Sequence, residues 1–95
     1  MAAYLVVDIE ISNPAQFEEY RKLAPAAIAK FGGRYIIRGG AYEVLEGEWQ
    51  PQRLTIVEFA SMEKAKAFYA SPEYGAAKKA RAGAAKFKAL LVQGI

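Results

Sequence analysis

Three predicted β-strands each carry one charged side chain among apolar neighbours: Asp8, Arg38 and Glu58. Side chains of a strand alternate between its two faces, so each charge points away from the apolar set of its own strand. If the three strands are neighbours in one sheet, the three charges share one face. Carboxylates that lie close together raise one another's pKa and an adjacent guanidinium lowers it, and such coupling suits a general base.

Two interpretations of this cluster are open. In the first, Asp8 and Glu58 are candidate catalytic groups in a pocket, and Arg38 holds an acidic ligand there. In the second, the cluster is structural and lies at an interface between subunits, where Arg38 neutralises both acids. Structural ion networks also perturb pKa values, so the residue types alone do not separate the two interpretations.

Two further side chains are predicted to belong to the ligand-binding set. Arg34 precedes Arg38 by two residues and is expected on the same face, where the two guanidinium forks would clamp a small carboxylate or phosphate. Because arginine is seldom buried, Arg34 could equally reach into solvent. Tyr4 lies on the predicted face of Asp8 and is expected to line the pocket.

Trp49, in a predicted turn, would mark an interface or cover its own hairpin.

The periodicity of the chain defines the elements that position these groups. Tyr4–Ile11 alternates strictly and predicts a half-polar strand. Asn13, Pro14 and Gln16 predict the start of a helix, with Asn13 as the cap and Gln16 completing a capping box. Pro25 lies within that helical pattern and predicts a kink or a break, since proline lacks an N–H and clashes with the preceding turn.

The remaining chain predicts two strands joined by a turn, a second helix and a last strand. Gly32-Gly33 ends the first helix. Ser61 and Ser71-Pro72 cap a helix that restarts and runs to about Arg81. The predicted strands and the extended segment between them are Arg34–Arg38, Ala41–Glu46, Arg53–Phe59 and Phe87–Gln93.

The resulting order is β-α-β-β-α-β, which indicates an α+β fold. One antiparallel four-stranded sheet with helices on one face is the simple solution. Right-handed crossovers then give the strand order 4-1-3-2. No linker or repeat interrupts the pattern, so residues 1–95 are predicted to form a single domain.

Composition narrows the function classes. The chain has 95 residues, of which 54% are hydrophobic. A domain this small leaves much apolar surface exposed, so we expect a homodimer.

The sequence lacks both Cys and His, which removes thiol chemistry and the usual metal and haem ligands, and we predict neither a metal nor a cofactor. Without a signal peptide or an apolar run of ~20 residues, a cytoplasmic protein with no membrane partner is expected.

The net charge is +3, and from Tyr74 onward the chain carries bases but no acidic side chain. The five bases are Lys78, Lys79, Arg81, Lys86 and Lys88. Cations late in a helix interact favourably with its dipole, which explains part of this run without a ligand. Because no nucleic-acid-reading motif accompanies the bases, we predict no nucleic-acid partner.

Short motifs are spaced along almost the whole chain. They are Gly32-Gly33-Arg34-Tyr35, Arg38-Gly39-Gly40, Glu46-Gly47 with Trp49 and Pro51, Glu58-Phe59, Phe68-Tyr69, Ser71-Pro72-Glu73-Tyr74, Arg81 and the ending Val92-Gln93-Gly94. Together they resemble domain-of-unknown-function family 1330, a small bacterial family with no assigned reaction. One departure is Ala84-Ala85-Lys86, where the family pattern has more polar, often acidic, residues.

The resemblance implies a ferredoxin-like dimeric α+β barrel in which two sheets pack face to face. Its broader relatives include cofactor-free monooxygenases of antibiotic biosynthesis, muconolactone isomerases and haem-binding chlorite dismutases. The expected function is therefore binding of a small acidic or aromatic metabolite in a pocket on the sheet face, and whether the protein also catalyses a cofactor-free reaction of the monooxygenase or isomerase kind is open. The alternative is a non-catalytic dimeric module whose Asp8, Arg38 and Glu58 cluster stabilises the interface.

Overall fold

The computed structural model describes all 95 residues as a four-stranded sheet with three helices on one side. In chain order the elements are β1 (Ala3–Ile11), α1 (Pro14–Lys30), β2 (Arg34–Arg38), β3 (Leu54–Phe59), α2 (Met62–Tyr69), α3 (Pro72–Arg81) and β4 (Ala85–Gln93). The strand order β2-β3-β1-β4 is the predicted order viewed from the other edge, and all neighbouring strands are antiparallel. The α+β class and the topology are therefore confirmed.

Alternation along β1 divides the sheet into two faces. Leu5, Val7 and Ile9 are buried beneath the helices on what we call the covered face. There they join a core whose largest fully buried side chains are Phe59 and Phe68. The opposite side carries no helix, and we call it the open face. Because a two-layer fold covers only one side of its sheet, the smallest Cα extent of the molecule is 16 Å.

The predicted cap residues begin all three helices. The side-chain oxygens of Asn13, Ser61 and Ser71 each accept a hydrogen bond from the backbone N–H three residues later, at 3.1–3.2 Å. Such bonds satisfy donors that the first turn of a helix leaves unpaired. At the other end of α1, Gly32 adopts a φ of 76°, the left-handed conformation expected of the glycine pair.

The capping box predicted for Gln16 is wrong. Its side-chain Nε2 instead donates to the backbone oxygens of Ala80 and Ala82, at 3.1 and 2.8 Å. These carbonyls belong to the end of α3, where helical carbonyls lack intrahelical partners. Gln16 therefore ties the start of α1 to the end of α3, a contact that depends on the packing of two helices.

The helix α1 continues through Pro25 from Pro14 to Lys30, so the predicted break does not occur. Proline still supplies no N–H, which leaves the carbonyl of Arg21 without its usual helical partner. A bend of the helix axis at Pro25 stays a prediction.

The segment between β2 and β3 has no regular secondary structure, so Ala41–Glu46 does not extend the sheet. Gly39 begins this segment with a φ of 66° and donates its N–H to the oxygen of Leu54 at 2.7 Å. The left-handed conformation favours glycine and turns the chain out of the ladder. The loop then returns over the open face.

None of the three helices combines the length and the apolar character that crossing a bilayer requires.

Candidate functional site on the open face

The centre of the open face is an apolar surface that no helix covers. Val6 on β1 lies opposite Ile56 on β3 and Leu90 on β4. Leu90 and its neighbour on the same face, Val92, are exposed, as is Ile37 on β2. Contiguous exposed apolar surface of this kind marks an interaction site or a ligand site in a small protein. Polar side chains flank the surface at both ends.

Arg38 does not lie on the open face, and its predicted position beside Asp8 and Glu58 is wrong. Arg34 pairs with Glu58, but the register shifts between Tyr35 and Ile37, so that Arg38 lies opposite the buried Thr55. A β-bulge of this kind places two residues opposite one and reverses the alternation beyond it. The guanidinium of Arg38 stacks on the Tyr35 ring, 4.3 Å from its centroid, on the covered side.

The two acids of the predicted cluster share the open face but not one site. Asp8 lies opposite Leu54, whereas Tyr4 lies opposite Glu58. Leu54 and Glu58 are four positions apart on β3, which corresponds to about 13 Å at a strand rise of ~3.3 Å per residue. Strong coupling between charges requires about 4–6 Å. The structure therefore separates Asp8, Arg38 and Glu58 into three locations and provides no coupled pair of carboxylates.

Glu58 is instead the centre of a network with the other two predicted ligand-binding residues. Tyr4 Oη donates to Glu58 Oε2 at 3.1 Å, and Arg34 Nε donates to Glu58 Oε1 at 2.7 Å. The Glu58 side chain is 24% exposed and the Arg34 side chain 73% exposed. Each carboxylate oxygen thus has a donor, and three strands supply the network.

The hydrogen bond from Arg34, followed by that from Tyr4, holds the pKa of Glu58 below its usual value. The same carboxylate raises the pKa of Tyr4, first through the hydrogen bond and then through its charge. Glu58 is consequently an ionised acceptor and Tyr4 a protonated donor at neutral pH. A carboxylate with a lowered pKa is a weak general base, so this geometry disfavours Glu58 in that role.

Asp8 lies at the other end of the open face and fixes the returning loop. Its Oδ1 accepts the backbone N–H groups of Gln52 and Arg53 at 2.9 and 3.2 Å. The other carboxylate oxygen accepts no hydrogen bond from the protein. Because the loop is held here, Trp49 is positioned over the sheet beside Asp8.

Between this loop and the sheet lies a cavity of about 300 Å³. Its floor is apolar, formed by Val6, Leu54 and Leu90, and Trp49 forms one wall. The polar groups are the Asp8 carboxylate and the Lys88 ammonium, which lie on paired positions of β1 and β4. An apolar cavity with a few convergent polar groups is the usual form of a small-molecule site. This sheet-face cavity is the candidate functional site.

Lys88 is a site residue that the sequence pattern alone did not predict. The signal was present, because Lys86 and Lys88 alternate with Phe87 in the predicted last strand. Once β4 pairs with β1, this alternation places Lys88 opposite Asp8 and Lys86 opposite Glu10. Both lysines follow the bases of α3 closely in the sequence and share their charge sign, but they belong to β4.

A larger groove, of about 510 Å³, lies between α2 and β4. Its lining is mostly aliphatic and includes Leu5 and Leu91, with Lys66 and Lys78 as the charged residues. Lys78 Nζ already donates to the oxygen of Tyr69 at 3.1 Å. The groove lacks any carboxylate, so it offers less acid–base chemistry than the sheet-face cavity. No three side chains of the Asp, Glu, His or Cys types are arranged to hold a metal ion.

Comparisons with known proteins agree with this architecture. The chain is similar to a protein of unknown function from Rhodopseudomonas palustris, with 16% identity, a TM-score of 0.74, and coverage of 99% of this chain and 82% of that one. It is also similar to SnoaB, a cofactor-independent oxygenase from Streptomyces nogalater, with 15% identity, a TM-score of 0.71, and coverage of 99% and 93%.

A third similar structure is a dimeric ferredoxin-like protein of unknown function from a Jannaschia species. Its identity is 10% and its TM-score 0.70, with 99% of this chain and 100% of that chain covered. The fold is thus ferredoxin-like, as the resemblance implied. None of the curated proteins matches the sequence. The family model for a domain of unknown function, DUF1330, matches residues 2–95, and the chain therefore belongs to that family.

Proposed function

We propose that this protein is a homodimer that binds a small acidic or aromatic metabolite in the sheet-face cavity. The observation that carries the proposal is the cavity itself, which Trp49 and an apolar floor line together with Lys88 and Asp8. The indole and the floor would contact an aromatic ring, and Lys88 would pair with an acidic substituent. Arg38, expected in this role from the sequence, is replaced by Lys88.

The dimer part of the proposal is supported by how little of the chain is buried. Only 18 of the 95 residues are buried, and the apolar centre of the open face is among the exposed surface. Packing two open faces together would remove both from water and close the cavities. The dimeric state of the similar Jannaschia protein is consistent with this arrangement.

The catalytic form of the proposal is a cofactor-free reaction, monooxygenase-like or isomerase-like, and Asp8 is its candidate base. Asp8 lines the cavity and keeps one carboxylate oxygen free of protein hydrogen bonds. A base must lie within hydrogen-bond reach of the proton that it removes, and a ligand in the cavity would meet that condition. The similarity to the oxygenase SnoaB supports this form through the fold alone.

Tryptophan fluorescence tests ligand binding directly, because Trp49 is the only Trp of the chain. We expect benzoate to change the emission of Trp49 saturably and phenol to bind more weakly. Lys88→Gln should weaken the binding of benzoate at least tenfold. The matched control is Lys86→Gln, which removes the same charge from the same face of β4 but outside the cavity lining. Its affinity for benzoate should stay within twofold of the wild-type value. Equal effects of the two variants, or no saturation, would contradict the proposal.

Sedimentation equilibrium tests the dimer separately. We expect a mass of twice 10.4 kDa at micromolar concentration. Leu90→Asp places a charge at the centre of the open face and should yield monomer, since an unpaired charge is costly to bury. A wild-type protein that sediments as a monomer would overturn the dimer but not the cavity.

A second candidate function is a non-catalytic dimeric module. The observation in its favour is the completeness of the network of Tyr4, Glu58 and Arg34, which leaves both Glu58 oxygens occupied. Such a network suits a polar part of an interface better than a reaction site. For this candidate, Arg34→Gln should weaken the dimer, and benzoate should leave Trp49 emission unchanged.

A further inference from the structure

A second polar cavity lies on the covered side of the sheet, away from the sheet-face cavity. It is formed by one face of α1, by the edge strand β2 and by the start of the neighbouring strand β3. Three arginines line it, namely Arg21, Arg38 and Arg53. Its volume is about 30 Å³, which exceeds the ~10–15 Å³ needed for one water molecule.

Local backbone features bring these arginines together. The bulge after Tyr35 moves Arg38 from the open face to the covered face. The left-handed turn at Gly39 then brings the backbone against Arg53, because a Cβ on Gly39 would lie 3.0 Å from the Arg53 guanidinium carbon. Glycine at this position leaves space for the arginine.

The lining of this cavity contains no carboxylate. Neither Arg38 nor Arg53 forms a salt bridge within the chain. Arg21 contacts Glu18 at 3.4 Å in a pair whose side chains are both exposed. Exposed pairs of this type contribute little, so Arg21 keeps most of its capacity to bind another anion. Three neighbouring guanidinium groups repel one another unless an anion balances them.

Hydroxyl groups complete the polar lining. Tyr35 and the buried Thr55 line the cavity, and the hydroxyls of both lack hydrogen-bond partners within the chain. Burial raises the pKa of Tyr35, and the Arg38 and Arg53 guanidiniums partly oppose that rise, which indicates that both cations are near the phenol. The Tyr20 hydroxyl is already paired with that of Tyr74 at 2.7 Å. Tyr35 and Thr55 are thus available as neutral donors.

We propose that this arginine cavity is a binding site for the carboxylate headgroup of a small organic acid. The volume suits the two oxygens of a carboxylate better than the four of a phosphate. Guanidinium groups present a fork of donors that matches carboxylate geometry. Because Arg21 and Arg38 are exposed at the rim, the rest of the acid would extend into solvent. The site does not depend on the proposed function, since it lies on the other side of the sheet.

Nuclear magnetic resonance of the arginine Nε–Hε groups tests the assignment with the full chain. Sodium acetate is titrated against sodium chloride at equal ionic strength, at mildly acidic pH. We expect the signals of Arg38 and Arg53 to shift saturably with acetate, and that of Arg34, on the open face, to stay in place. Lys88→Gln, which alters only the sheet-face cavity, should leave the acetate shifts of Arg38 and Arg53 unchanged, and this separates the two sites.

Three variants that each remove one positive charge complete the test. Arg38→Gln should weaken acetate binding at least tenfold, whereas Lys22→Gln, which removes an exposed charge of α1 outside the cavity, should change it less than twofold. Arg53→Gln provides a second measurement in case Arg38→Gln perturbs β2. Shifts that follow chloride as well as acetate, or that survive both arginine substitutions, would overturn the proposal. Saturation by phosphate but not by acetate would overturn the choice of headgroup.

Discussion

On the covered face of the sheet, Val57 and Phe59 are 2% and 1% exposed, whereas on the open face Leu90 and Val92 are 57% and 46% exposed. All four side chains come from regular strands of the same sheet. What differs is the second layer, because the three helices cover one side only. The covered face therefore supplies the packing that stabilises the monomer, whereas apolar side chains of the open face stay exposed.

The two faces also differ in whether their charged side chains have partners within the chain. On the open face, Glu58 is satisfied by Arg34 and Tyr4, and Asp8 by backbone donors of the loop. On the covered face, the arginine cavity collects cations without an acid. Both acids of the open face thus have donors within the chain, whereas Arg38 and Arg53 of the arginine cavity have no carboxylate partner and suit an external anion.

The largest expected effect is on the covered face, at Phe68. This ring is fully buried and packs against Phe59 and Tyr74, with centroids 5.2 and 4.5 Å away. We expect Phe68→Ala to lower the free energy of unfolding by about 3–5 kcal/mol, because the cavity left behind adds to the lost transfer energy. Urea denaturation followed by circular dichroism measures the change.

Leu90→Ala is the control for Phe68→Ala. At a protein concentration low enough for the monomer, it should change the unfolding free energy by ~0.5 kcal/mol or less, as exposed positions usually do. Equal losses at the two positions would remove the distinction between the faces.

A smaller effect is expected from Gly33→Ala. A Cβ on Gly33 would lie 2.6 Å from the Phe59 ring and 2.9 Å from Ile28, both in the core. Overpacking of this kind typically costs about 1–3 kcal/mol. Gly40→Ala is the matched control, since a Cβ there meets no atom within 4 Å. Thermal unfolding of the two variants gives the comparison, and equal melting temperatures would contradict the close packing under β3.

The smallest effect is expected at Glu58, and it depends on pH. The pKa of Glu58 is below its ordinary value of 4.5 in the folded chain, through Arg34 first and then Tyr4. A lowered folded pKa adds stability above the unfolded pKa, and this stability is lost as the pH falls through the folded pKa. Wild type should therefore exceed Glu58→Gln in stability near neutral pH, and the difference should narrow in acid.

Denaturation curves of both proteins at neutral and acidic pH measure this difference. Glu10→Gln serves as the control, because Glu10 lies on the same face and forms no salt bridge. A difference between wild type and Glu58→Gln that does not change with pH would show that the network of Tyr4, Glu58 and Arg34 stabilises the open face without its charge.

Local signals in the chain predicted most of the fold and part of the site. The helix starts were predictable because a cap bonds a backbone N–H only three residues later, as at Asn13, Ser61 and Ser71. Strict alternation along β1 likewise predicted the face on which Asp8 lies. The same alternation failed for Arg38, since a bulge depends on how two strands pair and has no local signature in the order of residues 34 to 38. The capping box predicted for Gln16 was wrong for a related reason, because the hydrogen-bond partners of its side chain lie at the end of another helix.

The sequence by itself determined the elements, their order and the two faces of β1 and β3, since periodicity and capping are properties of neighbouring residues. Only the tertiary structure decided which charges meet. Lys88 lies opposite Asp8 because β4 pairs with β1. Because of the bulge in β2, Arg38 lines the same cavity as Arg53, whereas Arg34 pairs with Glu58. Ion pairs form over a few ångströms, so strand register and helix packing, which join residues far apart in the chain, determine them.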